Sequence, residues 1–240
     1  MEAEQQTQQT EHASLEGQLE KVKTDIRQAQ QKQQELILNM RDLQSRMQWL
    51  RGMETEYEGF SGSVKAIMQL KKQNPQQFQA VHGTLADVIQ VPTAYALAIE
   101  IALGAAIQNI IVDRADDAKD LIETLRQSKK GRATFLPLDF VTERSTFANE
   151  AAVKAMPGVI GFGYELVSYA PEYRKIMTRQ LGNVVVAEDF DSASQVARRF
   201  KNSLRVVTLK GDIFNTGGSI TGGSQQSRGH GILSRKGEID

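Results

Sequence analysis

Between Leu15 and Leu50 the seam positions advance by four and three residues without a break: Leu15, Leu19, Val22, Ile26, Ala29, Gln33, Leu36, Met40, Leu43, Met47 and Leu50. That 3.5-residue period keeps one stripe of a helix turned toward a partner helix, the heptad rule of a coiled coil. Charged residues such as Glu16, Lys23, Asp25 and Lys32 occupy flanking positions. Gln33 is the one polar residue in the seam, where a buried amide sets register at some cost in stability. A stripe this long favours a coiled coil over a single amphipathic helix lying on a globular body. Upstream, Gln8 and His12 would fall in the seam and the pattern fades.

Gly52, Gly59 and Gly62 end the helical stretch, and a different periodicity begins. Ser63–Leu70 reads as a short helix, Asn74-Pro75 as a turn and Ala80–Gly83 as a short strand. Thr93–Ala106 is apolar almost all round and predicts a buried helix. Gln108–Asp113 carries three β-branched residues and predicts a strand. Asp116–Ser128 predicts an amphipathic helix with Ala118, Leu121, Ile122 and Leu125 facing inward, and Ala133–Leu136 a strand closed by Pro137. A second cycle follows. Pro171–Leu181 reads as helix, Asn183–Ala187 as strand, Ser192–Phe200 as helix and Arg205–Leu209 as strand. Lys210-Gly211-Asp212 is a tight turn into the returning strand Ile213-Phe214. Strand, helix, strand twice over predicts an α/β protein of two similar subdomains joined near residues 141–160. The boundaries expected are a coiled-coil arm over 1–56, a first subdomain over 57–145, a second over 146–230 and the start of another arm helix over 231–240. That last stretch, ILSRKGEID, reads as a helix cut short, so the sequence is expected to be an excerpt whose arm partner lies beyond Asp240.

Composition narrows the function. The sequence has no cysteine, which removes disulfides and thiolate metal sites and fits a reducing compartment. No apolar run approaches the ~20 residues of a membrane helix, and the N-terminus lacks a signal-peptide pattern, so a cytoplasmic protein without membrane contact is expected. Basic and acidic residues balance at 29 each. Residues 191–240 alone carry a surplus, 8 basic against 4 acidic, which places any anion-binding surface toward that end.

Candidate chemistry is sparse. Asn215-Thr216-Gly217-Gly218-Ser219-Ile220-Thr221-Gly222-Gly223-Ser224 holds two Gly-Gly pairs about an apolar residue. A loop, a close-packed interface and an anion site all remain open for it. A nucleotide P-loop is excluded, because G-x-x-x-x-G-K-[ST] occurs nowhere in the sequence. Asp113, Asp116 and Asp117 stand between a strand and a helix, where capping is favoured over binding a hard cation. His12, His82 and His230 have no metal-ligand spacing, and Ser219, Thr221 and Ser224 have no His or Asp partner in a nucleophile pattern. No catalytic residue, metal or cofactor is expected. Lys129, Lys130 and Arg132, then Arg198, Arg199 and Lys201, then Arg228, Arg235 and Lys236 are basic clusters that would attract phosphate if they converge. Solvated helix ends are their ordinary role.

Several strings together carry a family resemblance. They are Gly59-Phe60-Ser61-Gly62-Ser63-Val64-Lys65-Ala66, His82-Gly83-Thr84-Leu85-Ala86-Asp87-Val88-Ile89, Tyr95-Ala96-Leu97-Ala98-Ile99-Glu100 with Leu103-Gly104-Ala105-Ala106, Gly131-Arg132-Ala133-Thr134-Phe135-Leu136-Pro137-Leu138-Asp139, the Gly-Gly segment and Ile232-Leu233-Ser234-Arg235-Lys236-Gly237-Glu238-Ile239. Residues 50–240 resemble the hinge of bacterial structural maintenance of chromosomes (SMC) proteins; the arm matches only in pattern. The resemblance implies a two-subdomain α/β hinge that homodimerises through sheet edges and the Gly-Gly segment. Gly217, Gly218, Gly222 and Gly223 would be interface glycines, with Asn215 and Ile220 nearby, and a side chain at Gly218 or Gly222 would hold two protomers apart. It further implies a non-catalytic part of an ATPase of chromosome condensation and segregation, nucleoid-associated, partnered by a second copy, by the returning arm of its own chain and by DNA. A DNA-binding module in which dimerisation is secondary is the alternative. Phosphate hydrolysis at the Gly-rich segment is remote, since no Lys-[Ser/Thr] follows the glycines.

Overall fold

The computed structural model describes residues 2–143, 147–223 and 231–239, without the side chains of 2–11, 13, 14, 238 and 239. The chain divides into two compact units, Met1–Gly52 and Met53–Asp240. The first is almost wholly one helix, α1 (Glu2–Thr55). Its seam from Leu15 to Met47 is exposed along its length, as an unpaired coiled-coil strand must be, whereas Leu50 is buried. An i,i+3 ion pair, Lys23 to Glu20 at 2.8 Å, decorates a flanking face.

The second unit alternates helices and strands. In chain order these are α2 (Gly62–Gln73), β1 (Val81–Thr84), α3 (Leu85–Val88), β2 (Ile89–Gln90), α4 (Thr93–Leu103), β3 (Ile110–Val112), α5 (Ala115–Gln127) and β4 (Phe135–Pro137). There follow α6 (Glu150–Lys154), β5 (Val159–Phe162), β6 (Ser168–Tyr169), α7 (Arg174–Leu181), β7 (Val184–Ala187), α8 (Phe190–Arg199), β8 (Arg205–Thr208), β9 (Ile213–Phe214), β10 (Ile220–Thr221) and α9 (Ile232–Ile239). One sheet runs β1-β3-β4, a second β10-β9-β8-β7-β5, and β2 with β6 forms a short antiparallel ladder between the halves. Each half contains a parallel strand–helix–strand unit, β3-α5-β4 and β7-α8-β8. That is the repeated order expected from the sequence.

Strand alternation explains how one chain builds three cores. Successive side chains of a strand point to opposite faces. Val184 and Val186 of β7, Val207 of β8 and Ile111 of β3 therefore join a shared core with Ile99 of α4 and Ile176 of α7. Val185 and Val206 turn the other way, onto Val196 of α8 and Phe162 of β5. Ile110 and Val112 pack with Ile67 of α2 and Leu121 of α5. α4, with Ala96, Ala98, Ile99 and Ala102 all buried, lies in the core common to both halves.

Several expectations need correction. α4 stops at Leu103, not Ala106, because Gly104 takes φ +51 and the chain tightens into a 3-10 turn over Gly104–Gln108 that carries Ile107 inward. Ile122 does not face the α5 core; it is 43% exposed. Pro137 lies within β4 and pairs in parallel with Val112, which an outermost strand tolerates. Strands β2, β5, β6 and β10 were missed. Their runs are too short for a period, and in β5 Gly161 interrupts it as well.

Candidate association surface

The Gly-Gly segment is described from Asn215 to Gly223. Asn215 donates its main-chain N–H to the Ser219 carbonyl (2.8 Å), Gly218 to the Asn215 carbonyl (3.0 Å) and Gly217 to the Asn202 carbonyl (3.2 Å). Gly217 and Gly218 adopt φ +92 and +97, a region that penalises any Cβ. This turn folds the chain back so that β10 pairs antiparallel with β9, Ile220 opposite Phe214 and Thr221 opposite Ile213. β10 is then the outer strand of the five-stranded sheet, and both its residues are exposed, Ile220 at 53%. An exposed edge strand presents unpaired main-chain donors and acceptors and is a template for another strand.

The glycines also serve their own chain. A Cβ on Gly222 would stand 2.5 Å from Asp212 Oδ1, and one on Gly218 would stand 3.2 Å from Asn202 Nδ2. A side chain at either position thus first strikes its own protomer. Gly217 and Gly223 have open space about them. Ser224 lies outside the described residues.

The other sheet offers a second edge. β4 is the outer strand of the three-stranded sheet, and beside it opens a groove of about 660 Å³ lined in part by Ile122, Ala133, Phe135, Pro137 and Phe140. Phe140 is 75% exposed. A largely exposed phenyl beside an outer strand is the sort of apolar patch that marks an interaction site.

The predicted cations separate into two kinds. Lys129, Lys130 and Arg132, just past α5, and Arg198, Arg199 and Lys201, at the end of α8, are exposed, and none is in an ion pair among the described residues. Arg235 and Lys236 turn inward. Arg235 is 8% exposed and donates to the Glu58 carbonyl (2.6 Å). Lys236 Nζ donates to the carbonyls of Ala86 (2.9 Å), Asp87 (3.2 Å) and Ile89 (3.2 Å). Their expected place on an anion-binding surface is corrected: main-chain carbonyls occupy both. Arg228 and His230 lie outside the described residues.

The carboxylates mostly cap helices. Asp117 accepts from the main-chain N–H of Arg114 (3.0 Å), and Asp139 from that of Ala115 (3.0 Å), at the start of α5. Asp113 differs, accepting from His82 Nε2 at 2.8 Å. Because a carboxylate only accepts, Nε2 carries the proton of that bond, and His82 Nδ1 is hydrogen-bonded to the Tyr173 hydroxyl at 2.9 Å. This chain ties β1 and β3 to the turn before α7 and was invisible in a sequence where the three residues lie far apart. Among the described residues no group of three His, Cys, Asp or Glu is placed to hold a metal.

The Tyr173 phenol is pushed up to about 12 by burial, then by Glu172 and by Asp113. Its raised value means that its contribution to stability is whole below the ordinary value of 10.0 and is lost as the pH climbs through about 12. Tyr173→Phe is therefore expected to flatten the fall of unfolding free energy with pH over that window, by up to about 1.4 kcal/mol per pH unit. Denaturant midpoints at successive pH values measure it, and an unchanged slope would assign the alkaline transition to other tyrosines.

β4 and β10 are thus outermost strands of their sheets, and the heptad seam of α1 from Leu15 to Met47 is exposed. The family "SMC proteins Flexible Hinge Domain" matches residues 78–197, half of the chain, and the protein belongs to that family. The chain is 40% identical over 211 residues to the Chromosome partition protein Smc of Desulfitobacterium hafniense (strain Y51), a match covering 88% of this chain and 17% of the relative. It thus spans less than a fifth of the length of that relative. It is also similar to the asymmetric dimer of the Geobacillus stearothermophilus SMC hinge domain, with TM-score 0.73 and 36% identity over 87% of this chain and 84% of the other. The Pyrococcus furiosus SMC hinge domain matches with TM-score 0.57 and 29% identity over 77% and 91%. The hinge is a non-catalytic region of such proteins.

Proposed function

We propose that this chain is the homodimerisation hinge of an SMC ATPase that condenses and segregates chromosomes, nucleoid-associated in the cytoplasm, with residues 57–145 and 146–230 as its two halves. The observation that carries the reading is the exposed β10 edge, held out by the glycine turn and bearing Ile220 at 53% exposure. In a two-fold dimer, β10 of each copy meets the β4 edge and the Phe140 groove of the other. About a two-fold axis that pairing occurs twice, which makes one closed, isologous interface. α1 supplies the incoming arm, and α9 is read as the opening turns of the returning one. The solution mass of residues 53–240 across a wide concentration range tests this: a dimer is expected, and a monomer throughout would transfer association to the heptad helix.

DNA contact is the second part of the reading. It is supported by the six exposed cations at the ends of α5 and α8, which have no acidic partners among the described residues. Were all six to meet phosphates, affinity would fall about 10³-fold between roughly 50 and 200 mM salt. Lys129→Glu with Lys130→Glu is expected to weaken binding and reduce that salt slope. Binding indifferent to salt would remove the phosphate role. If a monomeric variant binds as tightly as the dimer, dimerisation is secondary to DNA contact.

A further inference from the structure

Three consecutive residues of α4 hold three different parts of the second unit. The Glu100 carboxylate accepts from the main-chain N–H groups of Ile232 (3.0 Å) and Leu233 (3.0 Å), which open α9 and have no partner within that helix. Ile101 fills the space beside Gly211 in the β8–β9 turn, where a Cβ would stand 2.5 Å from Ile101 Cδ1. The Ala102 carbonyl accepts from Arg205 Nη1 at the start of β8 (2.8 Å). The Nε of Arg205 is buried with no partner among the described residues, so the guanidinium has little else to replace the Ala102 bond if that is lost. β8 pairs with β9 and β9 with β10.

These contacts form a mechanical series. A helix is stiff, and three successive residues project about 100° apart around it over roughly 3 Å of axis. A rotation or slide of α4 therefore displaces all three contacts together. We propose that α4 is a strut coupling the seating of α9, the first turns of the return arm, to the position of the β10 edge. Seating α9 on Glu100 and associating at β10 then favour each other. The inference rests on β10 being the association edge.

Coupling between two equilibria is reciprocal, so it can be read from both ends. In the full chain, Ile220→Asp should yield a folded monomer in which the amides of Ile232 to Arg235 exchange hydrogen about fivefold faster or more. The amides of Val184 to Ala187 should not share that acceleration. In the other direction, Glu100→Gln should raise the dimer dissociation constant by a similar factor, and Ile101→Ala should diminish both effects. Should Ile220→Asp fail to fold, dilution of the unaltered chain below its dissociation constant supplies the monomer instead. A monomer with unchanged α9 exchange, or with uniform acceleration throughout the second unit, overturns the strut and leaves the β10 edge intact. An Ile220→Asp chain whose mass remains that of a dimer overturns the edge itself, and the strut with it.

Discussion

Ile220→Asp is expected to raise the dimer dissociation constant a hundredfold or more. Burying an isoleucine side chain is worth about 1.5–3 kcal/mol. A carboxylate in its place also loses hydration without gaining a partner, which costs several kcal/mol more. A loss of about 3 kcal/mol already exceeds a hundredfold, and a two-fold dimer carries the change twice. The substitution leaves the monomer largely untouched because Ile220 is 53% exposed on an outer strand. Changing all four glycines to alanine would be a poorer test: the Cβ at Gly222 meets Asp212 within the same protomer, and Gly217, Gly218 and Gly223 have positive φ. Sedimentation equilibrium over a wide concentration range measures the constant, and a dimer of undiminished affinity rejects β10 as the interface.

Ile99→Ala is expected to lower the unfolding free energy by about 2–5 kcal/mol. Ile99 is fully buried on α4, where side chains from both halves meet, so the cavity it leaves cannot be closed by one half moving alone. Against a typical total of about 5–15 kcal/mol this is a large fraction. Ile122→Ala provides the contrast. The sequence pattern puts Ile122 in the core, but at 43% exposure its removal should cost a monomer about 0.5 kcal/mol or less. Chemical denaturation at one fixed protein concentration checks both, since association itself adds to apparent stability. A small effect at Ile99 would show that the two halves are not joined through α4.

The coiled-coil stripe and the two strand–helix–strand units could be read from periodicity because both are local patterns. Each residue's environment there follows from its neighbours three, four or two positions away. β2 and β6 could not be read that way. Two residues have no period, and Ile89 pairs with Tyr169 only because the halves fold together. The cations illustrate the same limit. Lys130 and Lys236 look alike as charges in a string, yet one is exposed and the other donates to three carbonyls from residues 86–89. His82 gave no signal at all, since Asp113 and Tyr173 reach it from distant positions.

By itself the sequence determined the class of this protein: a heptad arm, an α/β body with two repeated units, no cysteine and no nucleotide motif, together with the strings that resemble an SMC hinge. Those properties reside in residue identity and short-range spacing. Only the tertiary structure decided which edges stay open, that Gly218 and Gly222 pack against their own protomer, that Arg235 and Lys236 face inward and that α4 meets α9 and the β8–β9 turn together. Those depend on which distant segments come into contact, and long-range contact is settled by packing three cores at once rather than by any local preference.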